Sequence, residues 1–296
     1  MKIRKRKDNV IIEEVKDFLL SQTLECGQCF RFDKVADEDY VIVANNKLLH
    51  IKQEKDTLIF YNTSKEDVVE FWVHYFDLDK DYRQIKNFLR RKDEKLRPII
   101  KDKWGIRIIN QDFHEALITF IISQNKQIPH IQKIVNDLSE KYGKYLGTIE
   151  GKKYYAFPTI NKLGTLTDKQ WRDLKVGFRA PYLMDASEML SKRRLKNTSF
   201  YEYGNRIDEK YARSILTSIK GVGDKVANCV MLFSLGYTDA FPIDVWIKRI
   251  METMYFDGDE VSKEEIAEFA KKTYGKYGGY AQQYLFHYGR DNNLGK

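Results

Sequence analysis

A change of hydrophobic period part-way along the chain constrains its fold more than any other feature. Between Tyr40 and Asn62 the sequence "YVIVANNKLLHIKQEKDTLIFYN" carries β-branched runs, broken at Asn45–Asn46 and again at Glu54–Asp56. That is the chemistry of strands joined by tight turns. Ser64 stands three residues before Asp67, ahead of "VVEFWVHYF", and so marks a helix start. After Trp104 the period lengthens. "DFHEALITFIISQ" and "IPHIQKIVNDLSEKYG" repeat apolar residues at helical spacing, with Gly143 closing the second. From Asp112 onward only helices and short loops are expected. The fold class is therefore α+β: an N-terminal antiparallel β-sheet domain with helices (1–105), then an all-α domain (106–296).

Within the helical part, "SIKGVGDKVANC" (Ser218 to Cys229) is the most distinctive stretch. Ala212, Ile215, Leu216 and Ile219 precede it at amphipathic spacing, and Val226, Cys229, Val230 and Phe233 follow it. The two helices form a hairpin spanning 208–236. Gly221 and Gly223 frame Val222, exposing successive amides beside a helix N-terminus, a geometry that suits a phosphate. A plain structural corner uses glycines equally well. Lys225 opens the second helix one turn from Cys229. An amine nucleophile needs its pKa brought from about 10.4 to about 7–8, and both burial and the helix dipole push that way. A solvated lysine is the plainer reading. Asp244, just after Pro242 in "AFPIDVWIKRI", is placed to cap a helix, and as a fixed anion it would also face a reacting centre.

The balance of 51 basic to 43 acidic residues gives a net charge of +8, which favours a polyanionic partner, nucleic acid before membrane. The three cysteines, Cys26, Cys29 and Cys229, indicate a reducing compartment without a disulfide framework. Cys26-x-x-Cys29 lacks a second Cys/His pair at zinc spacing. No apolar run is long enough for a signal core or a membrane span, so the expected location is cytoplasmic. His74 and His287 read as structural.

In order and spacing, the hairpin, Lys225, Cys229 and the Pro-Ile-Asp aspartate resemble the helix–hairpin–helix DNA glycosylases, specifically the 8-oxoguanine DNA glycosylase/lyase family. "LECGQCFRF" (Leu24 to Phe32), "FIISQN" (Phe120 to Asn125), "GFRAPY" (Gly177 to Tyr182) and "YAQQYLFHY" (Tyr280 to Tyr288) extend the likeness over most of the chain. The resemblance implies that the helical domain is a helix–hairpin–helix glycosylase domain whose partner is duplex DNA containing oxidised guanine. The damaged base is flipped into a pocket. Lys225 attacks C1′ and forms a Schiff base that can proceed to strand cleavage, while Asp244 stabilises charge on the sugar. The base lies between Cys229 and Phe286, with Phe233 nearby, Gln282 on its Watson–Crick edge and the Gly27 carbonyl accepting from N7–H. Gly221, Val222 and Gly223 contact DNA at the hairpin. The carbonyls of Thr217, Ile219 and Val222 would hold a structural cation there. No cofactor is required, and the enzyme is a monomer.

The chain departs from the family pattern at several DNA contacts. Asn125 and Arg179 occupy two of the three positions that read the orphaned cytosine, but His130 stands where the family usually has Arg. One fewer guanidinium fork implies relaxed selectivity for the opposite base. Trp246 stands where vertebrate-type enzymes carry His, at a phosphate contact. With Cys229 the last cysteine, an iron–sulfur cluster of the endonuclease III kind is excluded. Two alternatives remain: an alkylpurine glycosylase, which has no use for Lys225, and a helix–hairpin–helix protein that binds DNA without catalysis.

Overall fold

The computed structural model describes residues 1–294. Its N-terminal part is a six-stranded antiparallel sheet of β1 (Lys2–Arg6), β2 (Asn9–Glu13), β3 (Phe32–Ala36), β4 (Asp39–Ala44), β5 (Lys47–Glu54) and β6 (Thr57–Tyr61), in the order β1-β2-β6-β5-β4-β3. The expected turns are present. Asn45 and Asn46 both take left-handed φ (43° and 62°) and bring Ala44 opposite Lys47, while Lys55 (φ 57°) turns β5 into β6. β4 reads as a continuous apolar run because both of its faces are covered. Tyr40, Ile42 and Ala44 join the core with Trp72 and Phe76, whereas Val41 and Val43 pack on the other face with Tyr154.

Tyr154 belongs to a hairpin, β7 (Tyr145–Ile149) and β8 (Lys152–Tyr155), that turns at Glu150 (φ 48°) and Gly151 (φ 78°). A smaller pair, β9 (Tyr201–Glu202) and β10 (Asn205–Arg206), precedes the helical hairpin. The expectation of helices alone beyond Asp112 is therefore corrected at these two places. β7–β8 is held by burying one strip against the back of the sheet, a tertiary contact that local periodicity does not carry.

Ser64 caps its helix as expected, its side chain accepting from the Asp67 amide, and the segment continues through a π-helical turn at Val68–Trp72. The hydrophobic cores divide earlier than residue 105. Tyr82, Ile85, Leu89, Leu96 and Ile99 bury their side chains in the helical core, while the sheet core extends from Val10 to Leu78 and adds Ile109. At the centre of the helical core lies the helix Phe113–Ile122, capped by Asp112 and buried on nearly every side. Against it packs Asp224–Ser234, buried without interruption from Val226 to Phe233. The C-terminal helix Gly278–Asp291 crosses Val245–Tyr255 and returns to Leu96–Asp102. This crossing brings the C-terminal helix beside the loop at Cys26–Cys29. No helix among the described residues is long and apolar enough to cross a membrane.

Candidate active site

The helical hairpin consists of Glu209–Thr217 and Asp224–Ser234. Arg213 on the first helix donates to Asn228 Oδ1 on the second at 2.7 Å. Gly221 has φ +77°, and a Cβ there would lie 2.2 Å from the Tyr182 ring, so only glycine allows the close approach to the "GFRAPY" segment. Val222 turns its side chain into the core and donates its amide to the Ile219 carbonyl at 3.0 Å. The exposed Gly223 is the N-cap, and no side chain caps the second helix. The helix dipole's positive end is therefore open to solvent.

Lys225 is half-buried in the first turn of that helix. Its amine meets Ser123 Oγ at 3.2 Å and lies 5.7 Å from the centre of the Phe120 ring. Ser123 donates its own proton to the Phe120 carbonyl at 2.8 Å, so its lone pairs are turned toward the lysine. Among the described residues no carboxylate is ion-paired with this amine. Asp244 caps Val245–Tyr255, accepting from the Ile247 amide at 2.8 Å through one oxygen. Cys229 senses both groups. Burial pushes its thiol up to about 11, with Lys225 pulling it down and Asp244 pushing it further up. The sulfur is thus a neutral, polarisable surface beside the lysine and the aspartate, and not a nucleophile.

The loop Cys26–Cys29, which meets the C-terminal helix at Phe286 and Gln283, is fastened on several sides. Gln28 is fully buried and donates to the Thr23 and Arg107 carbonyls, both at 2.7 Å, while accepting from the Ile109 amide at 3.0 Å. Gln111 bridges the loop to the hairpin, with its side chain on the Gln28 carbonyl and its amide on that of Phe233. Gln283 donates to the Cys26 carbonyl at 3.0 Å. Between these bonded carbonyls, that of Gly27 has no protein partner among the described residues. Gly27 has φ +83°, and a Cβ there would sit 3.0 Å from Phe286 Cε1. The loop backbone and the Phe286 ring are thus in contact, and glycine alone permits it. Gln282, one turn before Phe286, is buried with its Oε1 unpartnered.

Other residues named from the sequence are placed differently. Phe233 is buried and stacks on Phe120 (5.5 Å, 19°), which in turn lies under Lys225, so it backs the lysine from within the core. Asn125, with φ 48°, and His130 are exposed. Arg179 is 4% exposed, its guanidinium donating to the carbonyls of Val176 and Gln124 and stacking on the exposed Phe178. Trp246 is half-buried, two residues beyond the Asp244 cap. Burial pushes the Cys26 thiol up to about 11 and that of Cys29 up as well. Sequence reasoning missed Ser123 and Gln111. Ser123 lay inside "FIISQN" without being singled out, and Gln111 gave no signal.

Residues 10–117 match the 8-oxoguanine DNA glycosylase N-terminal domain, and residues 118–276 match the HhH-GPD superfamily base excision DNA repair proteins. The chain belongs to the HhH-GPD superfamily of base excision DNA repair proteins. This superfamily member is similar to 8-oxoguanine glycosylase/lyase of Clostridium acetobutylicum, solved with double-stranded DNA containing cytosine opposite 8-oxoG (38% identity, TM-score 0.92, 99% of each chain). It is also similar to MBOgg1 in complex with a low-affinity DNA ligand (40% identity, TM-score 0.93, 99% of each chain). A probable N-glycosylase/DNA lyase of Methanothermobacter thermautotrophicus shares 30% identity over 75% of this chain and 74% of that protein. Among the described residues, no group of three or more His, Cys, Asp or Glu could hold a metal ion.

Proposed function

We propose that this protein is a bifunctional base-excision repair enzyme that removes 8-oxoguanine from duplex DNA and nicks the resulting abasic site. Placing Lys225, Cys229 and Asp244 together in a chain of this family is the single observation that carries the reading. Lys225, oriented by Ser123, attacks C1′ of the flipped nucleotide and displaces the base. The resulting Schiff base undergoes β-elimination. Asp244 spends one oxygen on its cap, and the other faces the positive charge that develops on the sugar. The base lies against the neutral sulfur of Cys229 and the Phe286 ring, with Gln282 at its Watson–Crick edge. The Gly27 carbonyl accepts from N7–H, a proton that oxidised guanine has and guanine lacks, so undamaged guanine would present a lone pair to a carbonyl lone pair.

The open amides of Gly221 and Gly223 and the dipole of the second hairpin helix contact a DNA phosphate. The carbonyls of Thr217, Ile219 and Val222 are proposed to hold a cation at that contact, with the Ile219 oxygen sharing its lone pairs with the Val222 amide. Asn125 and His130 face the opposite strand, Arg179 braces the loop before Asn125 through the Gln124 carbonyl, and Trp246 replaces an imidazole at a phosphate contact. Because His130 offers no guanidinium fork, the preference for cytosine opposite the lesion is expected to stay under about a hundredfold. Single-turnover excision opposite C, A, G and T measures it, and a larger preference contradicts this part of the reading.

Borohydride trapping on a duplex with one 8-oxoguanine tests the whole. Wild type is expected to form a covalent adduct and Lys225→Gln none. Salt-sensitive binding without an adduct from wild type would instead support a monofunctional or non-catalytic protein.

A further inference from the structure

The face of the C-terminal helix that carries Gln282 and Phe286 continues one turn further, to Arg290. These three residues stand at i, i+4 and i+8 and so form one stripe. At both ends of the stripe a buried polar atom is unpartnered: Gln282 Oε1 and Arg290 Nη1. Arg290 Nη1 lies 3.3 Å from where a Gly27 side chain would begin, and its guanidinium carbon is 5.6 Å from the centre of the Phe286 ring. Among the described residues this guanidinium has no ion pair and donates no hydrogen bond. A half-buried cation with an unused donor needs an acceptor that the protein does not supply.

We infer that Arg290 is a catalytic residue of base excision, acting on the departing purine and not on the sugar. The inference rests on the function proposed above. In that reading Gly27 meets N7–H, so Arg290 stands at the imidazole end of the base, the end that carries C8=O and N9. When Lys225 Nζ bonds to C1′, the C1′–N9 bond breaks and its electron pair stays on the purine. The purine is then an anion until it takes up the proton that the new secondary ammonium releases. Nη1 donates to the purine oxygen onto which this charge spreads, and Phe286 stacks on the purine beside the cation. A cation fixed before the reaction stabilises the charge with little reorganisation.

The two half-reactions separate this role from any other. An 8-oxoguanine duplex requires base departure, whereas a duplex with a preformed abasic site requires only Schiff-base formation and β-elimination. Arg290→Met, which keeps most of the volume and removes the charge, is expected to slow single-turnover excision roughly tenfold to a hundredfold. Its nicking of the abasic duplex should stay within about twofold of wild type, and Arg290→Lys should regain part of the excision rate. Equal losses on both substrates would mark a structural or phosphate-binding arginine and overturn the inference. Unchanged excision in Arg290→Met would overturn it as well. If wild type nicks the abasic duplex but releases no 8-oxoguanine, the functional reading fails first and this inference with it.

Discussion

Two buried glutamines, one on each side of the proposed base pocket, show how the molecule divides its work. Gln28, in the loop from the sheet side, uses its amide completely: two carbonyls accept from it and one backbone N–H donates to it. Gln282, on the C-terminal helix, is almost as buried, yet its Oε1 has no partner. The side chain is the same and the solvent exclusion similar. An unsatisfied buried polar atom is destabilising by about 1–3 kcal/mol, and at Gln282 the function proposed above supplies the missing partner from the flipped base. In that reading the Gln28 side chain is scaffold, while the free Gly27 carbonyl and the Gln282 face of the C-terminal helix are where substrate binds.

Substitutions can break this contrast. The largest effect is expected for Lys225→Gln, which should lower excision by at least about a thousandfold while shifting the melting temperature by no more than about 2 °C. A large drop in melting temperature would make the lysine part of the scaffold. Next comes acid stability through His287. Burial holds its imidazole down at about 4 from 6.5. Above 6.5 both folded and unfolded chains are neutral here. Between 6.5 and about 4 only the unfolded chain takes up the proton, so stability falls as pH falls, by about 3 kcal/mol in all, and levels off below 4. His287→Gln should flatten that part of a stability–pH curve measured by urea denaturation.

Gly27→Ala meets both a left-handed φ and the Phe286 ring, and should lose about 1 kcal/mol in the same denaturation assay. Excision should fall with it as the ring is displaced. The smallest effect is expected at the exposed Lys152–Asp33 pair (2.7 Å), where Lys152→Ala should change stability by less than about 1 kcal/mol.

Much of this division was legible in the sequence where a residue's role is local. The Asn45–Asn46 turn, the Ser64 and Asp244 caps, and the glycine-framed hairpin each follow from the residue's own backbone preferences. Lys225 and Cys229 share a face because helical periodicity requires it. What was not legible depends on distant packing. β7–β8 forms against the back of the sheet. Helical spacing put Phe233 in line with Cys229, but a stack on Phe120 fixes its use. Ser123 finds Lys225 across 102 residues of chain. Arg290 acquired meaning only once Gly27, Phe286 and an unpartnered nitrogen were seen at one point.

The contrast is tested most directly by giving the two glutamines the same substitution, Gln28→Leu and Gln282→Leu. Melting temperature and single-turnover 8-oxoguanine excision would be measured on both. Gln28→Leu is expected to lose about 2 kcal/mol or more of stability, since it strands the Arg107 carbonyl and the Ile109 amide. Gln282→Leu is expected to keep its melting temperature and lose at least about tenfold in excision. A Gln282→Leu protein that melts early, or that excises the base at the wild-type rate, would contradict the assignment of that helix face to substrate.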